Sequence, residues 1–189
     1  LGRSGEEIGR VVGDTLQVRC TDKTSLEETL IKHEFPEKKF EHYDEKRPPF
    51  WETLSSDTKT YLHFLKSVIL EFAAAGGGVV IGRGGSCVLS GIRGILNVRV
   101  VAPESVRVAR IQEREQCDDH QAKRIIHQSD SERAGFHRYF FGIDWDAPER
   151  YTLTINTADL YVAEAAEVIV NTLNSDAYVA TEADVNDRI

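Results

Sequence analysis

An α/β fold with a mainly parallel sheet is predicted by three features of this 189-residue sequence. Short apolar runs rich in β-branched residues, at 79–82 and 97–102, read as strands covered on both faces. Between such runs lie stretches with helical spacing of apolar residues, of which 57–75 is the clearest. Glycines and prolines mark the switches, and strands alternating with helices are the order that builds a parallel sheet.

The elements follow in order. The glycine turn Leu1-Gly2-Arg3-Ser4-Gly5 opens a short helix over 6–14, with Ile8, Val11 and Val12 on one face. Residues 16–20 alternate as a strand, and 25–33 form a helix with Ser25 as N-cap and Glu28 at the capping-box position. The polar run EFPEKKFEHYDEKRPP at 34–49 is a long connection of the functional or mobile kind. The helix over 57–75 carries Tyr61, Phe64, Leu65, Val68 and Phe72 as one buried stripe, and Gly76-Gly77-Gly78 stops it. After the strands at 79–82 and 97–102, Pro103 begins a helix that runs to about Glu115, and a second charged helix spans 119–137. A last strand covers 153–156 and a last helix 162–173, so one domain occupies 1–174 and an acidic tail 175–189. The sequence has no internal repeat and no low-complexity tract.

Composition narrows the function. With 41% hydrophobic and 29% charged residues the chain reads as a soluble globular protein with one real core. A formal charge of −8 argues against sequence-independent binding of nucleic acid, which depends on neutralising many phosphates, yet leaves room for a local basic pocket. No apolar run approaches a membrane span, and nothing resembles a secretory leader. Cys20, Cys87 and Cys117 form no CxxC pair and no even set, so they read as reduced and buried in a cytoplasmic protein without a metal site. The absence of any Met, an initiator included, reads as a fragment, a processed chain or an incomplete record of the molecule.

The densest chemistry lies at 129–157, where Arg133 and Arg138 end a charged helix and Trp145 and Pro148 follow in a loop. Forked guanidinium donors suit phosphate oxygens better than the point charge of Lys. Read with VVIGRGG at 79–85, they point to a phosphoryl-transfer site. Arg83, at the C-terminal end of a strand, stands where open α/β sheets bind ligands, and Gly84 and Gly85 permit close approach of backbone to an acceptor phosphate. Arg133 and Arg138 are five apart, which turns them toward different phosphates. Asp130, one turn before Arg133, either orients a guanidinium, accepts from an amino group of a ligand, or makes a plain i,i+3 surface pair. Taken alone, the arginines of this region, and Arg107 and Arg110 on the preceding helix, also fit solvated helix charges.

Four blocks in order, YDEKRPPFWE at 43–52, VVIGRGG at 79–85, VRVVAPESVRVARIQERE at 98–115 and DSERAGFHRYFFGIDWD at 130–146, resemble the cytidylate kinase-like branch of the P-loop nucleoside monophosphate kinases over roughly residues 2–173. The resemblance implies a P-loop parallel sheet flanked by helices, ATP with Mg²⁺ as cofactor, and phosphoryl transfer to a nucleoside monophosphate, with CMP or dCMP the acceptor. It places the GRGG loop at the acceptor, Arg107 and Arg110 near ATP, and a mobile lid carrying the later arginines at about 115–148. It implies small-molecule nucleotide partners, no nucleic acid and no membrane, and is compatible with a homo-oligomer. His127 and Gln128 stand where it implies more Arg.

The donor loop departs from GxxxxGK[ST], in which backbone N–H groups, a Lys and a hydroxyl hold the nucleotide and its magnesium. After Gly5 come Glu6 and Glu7. The resembled branch tends to use a GSGG-like loop without that Lys, so Gly2, Arg3, Ser4 and Gly5 are its counterpart, and the helix N-terminus at Glu6 attracts phosphate through its free N–H groups. In P-loop folds a central strand precedes this loop, yet only Leu1 precedes Gly2. Without that strand, buried backbone groups of the neighbouring strands are orphaned at about 1–3 kcal/mol each. Either residues before Leu1 are missing or the sheet is completed in another way. Two alternatives stand beside the kinase: a nucleotide-binding regulatory module of the same fold without efficient ATP use, and a P-loop kinase for another small molecule.

Overall fold

A computed structural model of the chain describes residues 1–32, 55–175 and Tyr178. The connection at 34–49, the block at 43–52 and nearly all of the acidic tail lie outside the described residues. The elements are α1 (Gly5–Leu16), β1 (Cys20–Thr21), α2 (Lys23–Lys32), α3 (Ser55–Ala74), β2 (Val79–Val80), α4 (Gly85–Val88), β3 (Val98–Val101), α5 (Glu104–Glu115), α6 (Asp119–Phe141), a 3-10 turn (Pro148–Arg150), β4 (Leu153–Asn156) and α7 (Val162–Leu173). The class is mixed α/β. Among the described residues the strands form two small parallel pairs, β1 with β2 and β3 with β4, flanked by helices.

Local chemistry sets most boundaries. Helix α1 ends at Leu16 because Gln17 turns left-handed, with φ 54°, and its N–H caps the last turn, so 16–18 is not the strand that the alternation predicts and only Cys20 and Thr21 pair. Asp22, not Ser25, caps α2: its Oδ1 accepts from the Ser25 N–H at 3.0 Å and from the Ser25 hydroxyl at 2.9 Å. Asp118 and Gln121 form a capping box at the start of α6. That helix runs four residues beyond His137, since Phe140 and Phe141 continue the buried face of Phe136 and His137, and Gly142 at φ 65° ends it.

Among the described residues three clusters make the core. Tyr61, Leu65, Val68 and Ile69 of α3 pack with Leu26, Leu89 and Ile92 against Phe136 and Phe140 of α6. Ile8 and Val12 of α1 meet Ala165, Ala166 and Ile169 of α7 over Ile155 of β4. Val108 and Ile111 of α5 meet Ala122 and Ile126 of α6. Of the predicted α3 stripe, Phe64 and Phe72 are half-buried and Ile69 takes the central place. The strand residues Val79, Val80 and Val98 to Val101 are also half-buried rather than covered on both faces. Cys20, Cys87 and Cys117 are unbridged and half-buried. No helix among the described residues is long and apolar enough to cross a membrane.

Gly13 shows how tightly α1 meets β1. A Cβ built there lies 2.1 Å from Cys20 Sγ. Gly13→Ala is therefore expected to destabilise the chain by about 1–3 kcal/mol through overpacking. Urea unfolding of Gly13→Ala beside Gly13→Ala/Cys20→Ala checks it, the second substitution restoring most of the loss.

Candidate active site

The loop at 1–4 lies at the C-terminal end of the strands, where a parallel sheet presents its ligand face. Arg107 Nε donates to the Leu1 carbonyl at 2.8 Å and Arg110 to the Gly2 carbonyl at 3.2 Å. The Thr157 hydroxyl, at the end of β4, lies 3.3 Å from the Arg3 carbonyl, and Arg110 also donates to the Thr157 hydroxyl at 2.9 Å and carbonyl at 2.6 Å. Three successive carbonyls are thus drawn toward α5 and β4. In a trans peptide the N–H points opposite to its C=O, so the N–H groups of Gly2, Arg3 and Ser4 point away from these anchors. Gly2 and Ser4 are left-handed, at φ 70° and 56°. Such a run of amides in a turn makes a concave receptor for an anion, and it leads into the N-terminus of α1, where Ser4 makes no side-chain cap. Glu6 and Glu7 are exposed, Glu6 pairing with Arg10 at 3.0 Å.

Asp130 is the hub of the charged groups. Its carboxylate receives Arg107 in two bonds of 2.7 and 2.8 Å, Arg3 at 3.0 Å and Arg133 at 3.5 Å. Burial alone would raise the Asp130 carboxyl pKa, but the Arg107 hydrogen bond and the charges of Arg3 and Arg107 hold it below the ordinary range. Arg3 is pushed down to about 10 by burial, with Asp130 pulling upward and Arg107 and Arg133 downward. Among the described residues the cations here, Arg3, Arg99, Arg107 and Arg133, outnumber the carboxylates that pair with them, Asp130 and Asp146. Around the buried Trp145 ring stand the guanidinium carbons of Arg3 at 4.9 Å, Arg133 at 5.1 Å and Arg99 at 5.4 Å. Arg99 is also paired with the Asp146 carboxylate. Among the described residues the buried side-chain polar atoms without a hydrogen-bond partner are Nε of Arg3 and Nε of Arg99, both in this cluster. A buried donor without a partner is costly, and an acceptor brought within reach would relieve that cost.

The second loop follows β2. Arg83 is buried, left-handed at φ 49°, ion-paired with Glu27 of α2, and 6.0 Å above the Phe136 ring. A non-glycine residue held in that conformation carries strain, which clusters at functional sites. Gly84 and Gly85 have a further reason to be small: a Cβ would lie 2.4 Å from the Phe141 ring at Gly84 and 2.6 Å from Val80 Cγ1 at Gly85. Their close approach is to the protein's own side chains. A cavity of about 1140 Å³ is lined by both loops together with Arg99, Arg110, Arg133 and Trp145. A smaller one of about 310 Å³ joins Arg83 and Arg133 to Glu6, Asp22 and Lys23.

The family profile of the cytidylate kinase-like family matches residues 1–159. The chain belongs to the cytidylate kinase-like family. No curated protein matches it. Among solved structures it is similar to an uncharacterized protein from Eubacterium ventriosum, with a TM-score of 0.73 and 16% identity over 92% of this chain and 93% of that one, a likeness that concerns the fold.

This cytidylate kinase-like chain therefore brings Gly2, Arg3, Ser4, Gly5, Arg83, Gly84, Gly85, Arg110 and Arg133 to the wall of one cavity. Arg107 and Asp130 stand behind it, joined to each other and to the loop. Neither Arg107 nor Arg110 is a solvated helix charge. Asp130 binds guanidinium groups on three elements, far more than an i,i+3 pair. Arg138 differs: it is exposed, lines neither cavity, and sits in the last turn of α6, where a cation suits the helix dipole. Arg99, Trp145, Thr157 and Glu27 join the site without having been singled out as site residues by the sequence. For Arg99 a signal existed, a charge inside the apolar run VRVV.

Proposed function

We propose that the chain is an ATP-dependent kinase of nucleoside monophosphates, with CMP or dCMP as acceptor. The observation that carries this reading is the under-compensated arginine cluster, with two buried orphan Nε atoms, on a cavity shared by the amide-lined loop and Arg83. Phosphoryl transfer asks a protein mainly for alignment, neutralised charge and exclusion of water. The N–H groups of 2–5 and Arg3 would hold the donor phosphates, Arg83 the acceptor phosphate, and Arg133, which lines both cavities, the group in transit. Arg107, Arg110 and Asp130 position these groups. Arg138 would act only if the lid brought it inward. Residues 115–148 serve as that lid under one constraint: Phe136 and Phe140 are core residues, so closing pivots about them. Magnesium bound with ATP neutralises phosphate charge. The described residues contain no cluster of three or more His, Cys, Asp or Glu fit to hold a metal.

The test is ADP release with MgATP across CMP, dCMP and UMP. Turnover with a cytidine nucleotide is expected; saturable nucleotide binding without turnover would replace the kinase by a binding module. Arg83→Ala is expected to weaken monophosphate binding by about 1.5–3 kcal/mol, the range for a hydrogen bond to a charged group. Titration calorimetry with CMP checks it, and unaltered affinity would make Arg83 purely structural.

A further inference from the structure

Trp145 lies in the irregular stretch between α6 and β4, yet its ring is buried and held from several sides. The Tyr151 hydroxyl donates to the Trp145 carbonyl at 2.7 Å, and the Asp144 carboxylate accepts from the Asp146 N–H at 3.0 Å, which closes the turn around it. Arg99 of β3 grips the next residue, donating to both the carbonyl and the carboxylate of Asp146. The His137 ring of α6 stacks on the indole at 6.1 Å with an interplanar angle of 30°. A ring fixed in this way on the wall of the larger cavity can in turn fix what leans on it.

What leans on it is charge. Arg3, from the loop at 1–4, and Arg133, from α6, place their guanidinium carbons 4.9 and 5.1 Å from the ring centroid. The carboxylate they share, Asp130, is already engaged twice by Arg107, so Arg3 reaches it in one bond and Arg133 in one long bond of 3.5 Å. Like charges brought this close repel, and more so away from water. A second carboxylate would relieve that repulsion by taking up N–H donors. An aromatic face also attracts a cation, but a guanidinium stacked on it keeps its N–H groups, which lie in its own plane, for other acceptors. Indole offers the strongest such face. Nε of Arg3, which has no partner among the described residues, is one of the donors left uncommitted.

We propose that Trp145 is a positioning residue of the anion site: its ring is the second counterion of Arg3 and Arg133, and holds both guanidinium groups beside the cavity with most of their donors open to phosphate oxygens. The role rests on the reading of this cavity as a phosphate site, and not on transfer between nucleotides. It divides the arginines by the counterion that holds them. Arg107, bound by a carboxylate, has its donors committed and anchors the loop. Arg3 and Arg133, held by the ring, remain able to receive a ligand. It also gives the ring a reason to be tied to β3 through Asp146, since a platform for two cations from different elements must not move with either.

The test replaces Trp145, by site-specific incorporation, with tryptophan carrying one, two or three ring fluorines, and measures inorganic triphosphate binding by titration calorimetry beside urea unfolding midpoints. Fluorine draws electron density from the ring face, leaves the shape nearly unchanged and makes the ring more apolar. Triphosphate affinity is expected to fall about two- to threefold with each fluorine, or roughly tenfold across the series, the scale of a desolvated cation–π contact. The urea midpoint is expected to fall in step, whereas a ring that only packs would hold or raise it. In an Arg133→Gln chain the same series is expected to have a shallower slope, one cation having left the ring, and an unchanged slope would count against the proposal. An affinity or midpoint that stays level along the series, while the unmodified chain binds triphosphate, would overturn it and leave the kinase reading standing. A rising affinity would overturn it too, because the ring would then compete with the ligand for the cations. No triphosphate binding by the unmodified chain would remove the phosphate reading and, with it, the positioning role.

Discussion

Asp130→Ala is expected to lower stability by about 3 kcal/mol, at the low end of the cost of breaking a buried ion pair, since Arg107 is 6% exposed while the carboxylate itself is 26% exposed. For a chain of this size that corresponds to a fall in Tm of roughly 6–12 °C. Three guanidinium groups lose one shared counterion, and the anchor of the loop at 1–4 loosens with Arg107. Asp130→Asn keeps the volume and some hydrogen bonding, and is expected to fall between the two. The pH dependence has a definite sign. The carboxyl is depressed in the folded chain, so its contribution is complete above the ordinary Asp pKa of about 4 and is lost as pH falls through the lower folded value. Urea unfolding between about pH 2.5 and 5 should show a stability slope from this group that the alanine variant lacks. Equal stability of the variant and the parent chain would reduce the hub to a surface pair.

If the chain is the kinase proposed above, Arg133→Lys is expected to lower kcat by about 10²–10³ while the KM for either nucleotide changes little. The reason is that Lys keeps the charge but not the planar fork that can meet two phosphate oxygens as charge moves between them. Arg133 stands 5.1 Å over the Trp145 ring, and Lys does not stack there in the same way. Arg138→Lys supplies the internal comparison. That side chain is exposed and lines neither cavity, so its kinetics are expected to stay within about twofold. Steady-state rates of ADP release decide both, and equal kcat for parent and Arg133→Lys would remove Arg133 from the chemistry.

Periodicity and turn residues placed α5, α7 and β4 because those signals are local: a proline before α5, a glycine-free amphipathic run in α7, alternation in β4. They failed at 16–18, where the two patterns overlap and the left-handed Gln17 ends the helix. They also chose Ser25 over Asp22, although either could cap and only the packed turn decides. The assembly of the site was harder to see, because its partners are far apart in the chain. Arg3 and Asp130 are separated by 127 residues, and Thr157 and Arg3 by 154. No spacing rule links such positions. The motifs named the arginines, but whether each is a ligand group or an anchor follows from tertiary contacts: Arg107 spends its donors on Leu1 and Asp130. The half-burial of the β2 and β3 valines was equally invisible, since a β-branched run looks the same whether a strand is covered on both faces or only in part.

The ring of cations around Trp145 gives the protein a built-in optical probe. The sequence holds two tryptophans, and the other, Trp51, lies outside the described residues. With Trp51 replaced by Phe, all indole emission comes from a buried ring that three guanidinium groups approach within 5.4 Å. The colour and yield of indole light depend on the electric field across the ring. Any anion that draws Arg3, Arg99 or Arg133 toward itself changes that field, so site occupancy can be followed at equilibrium or on a millisecond mixing scale without a label.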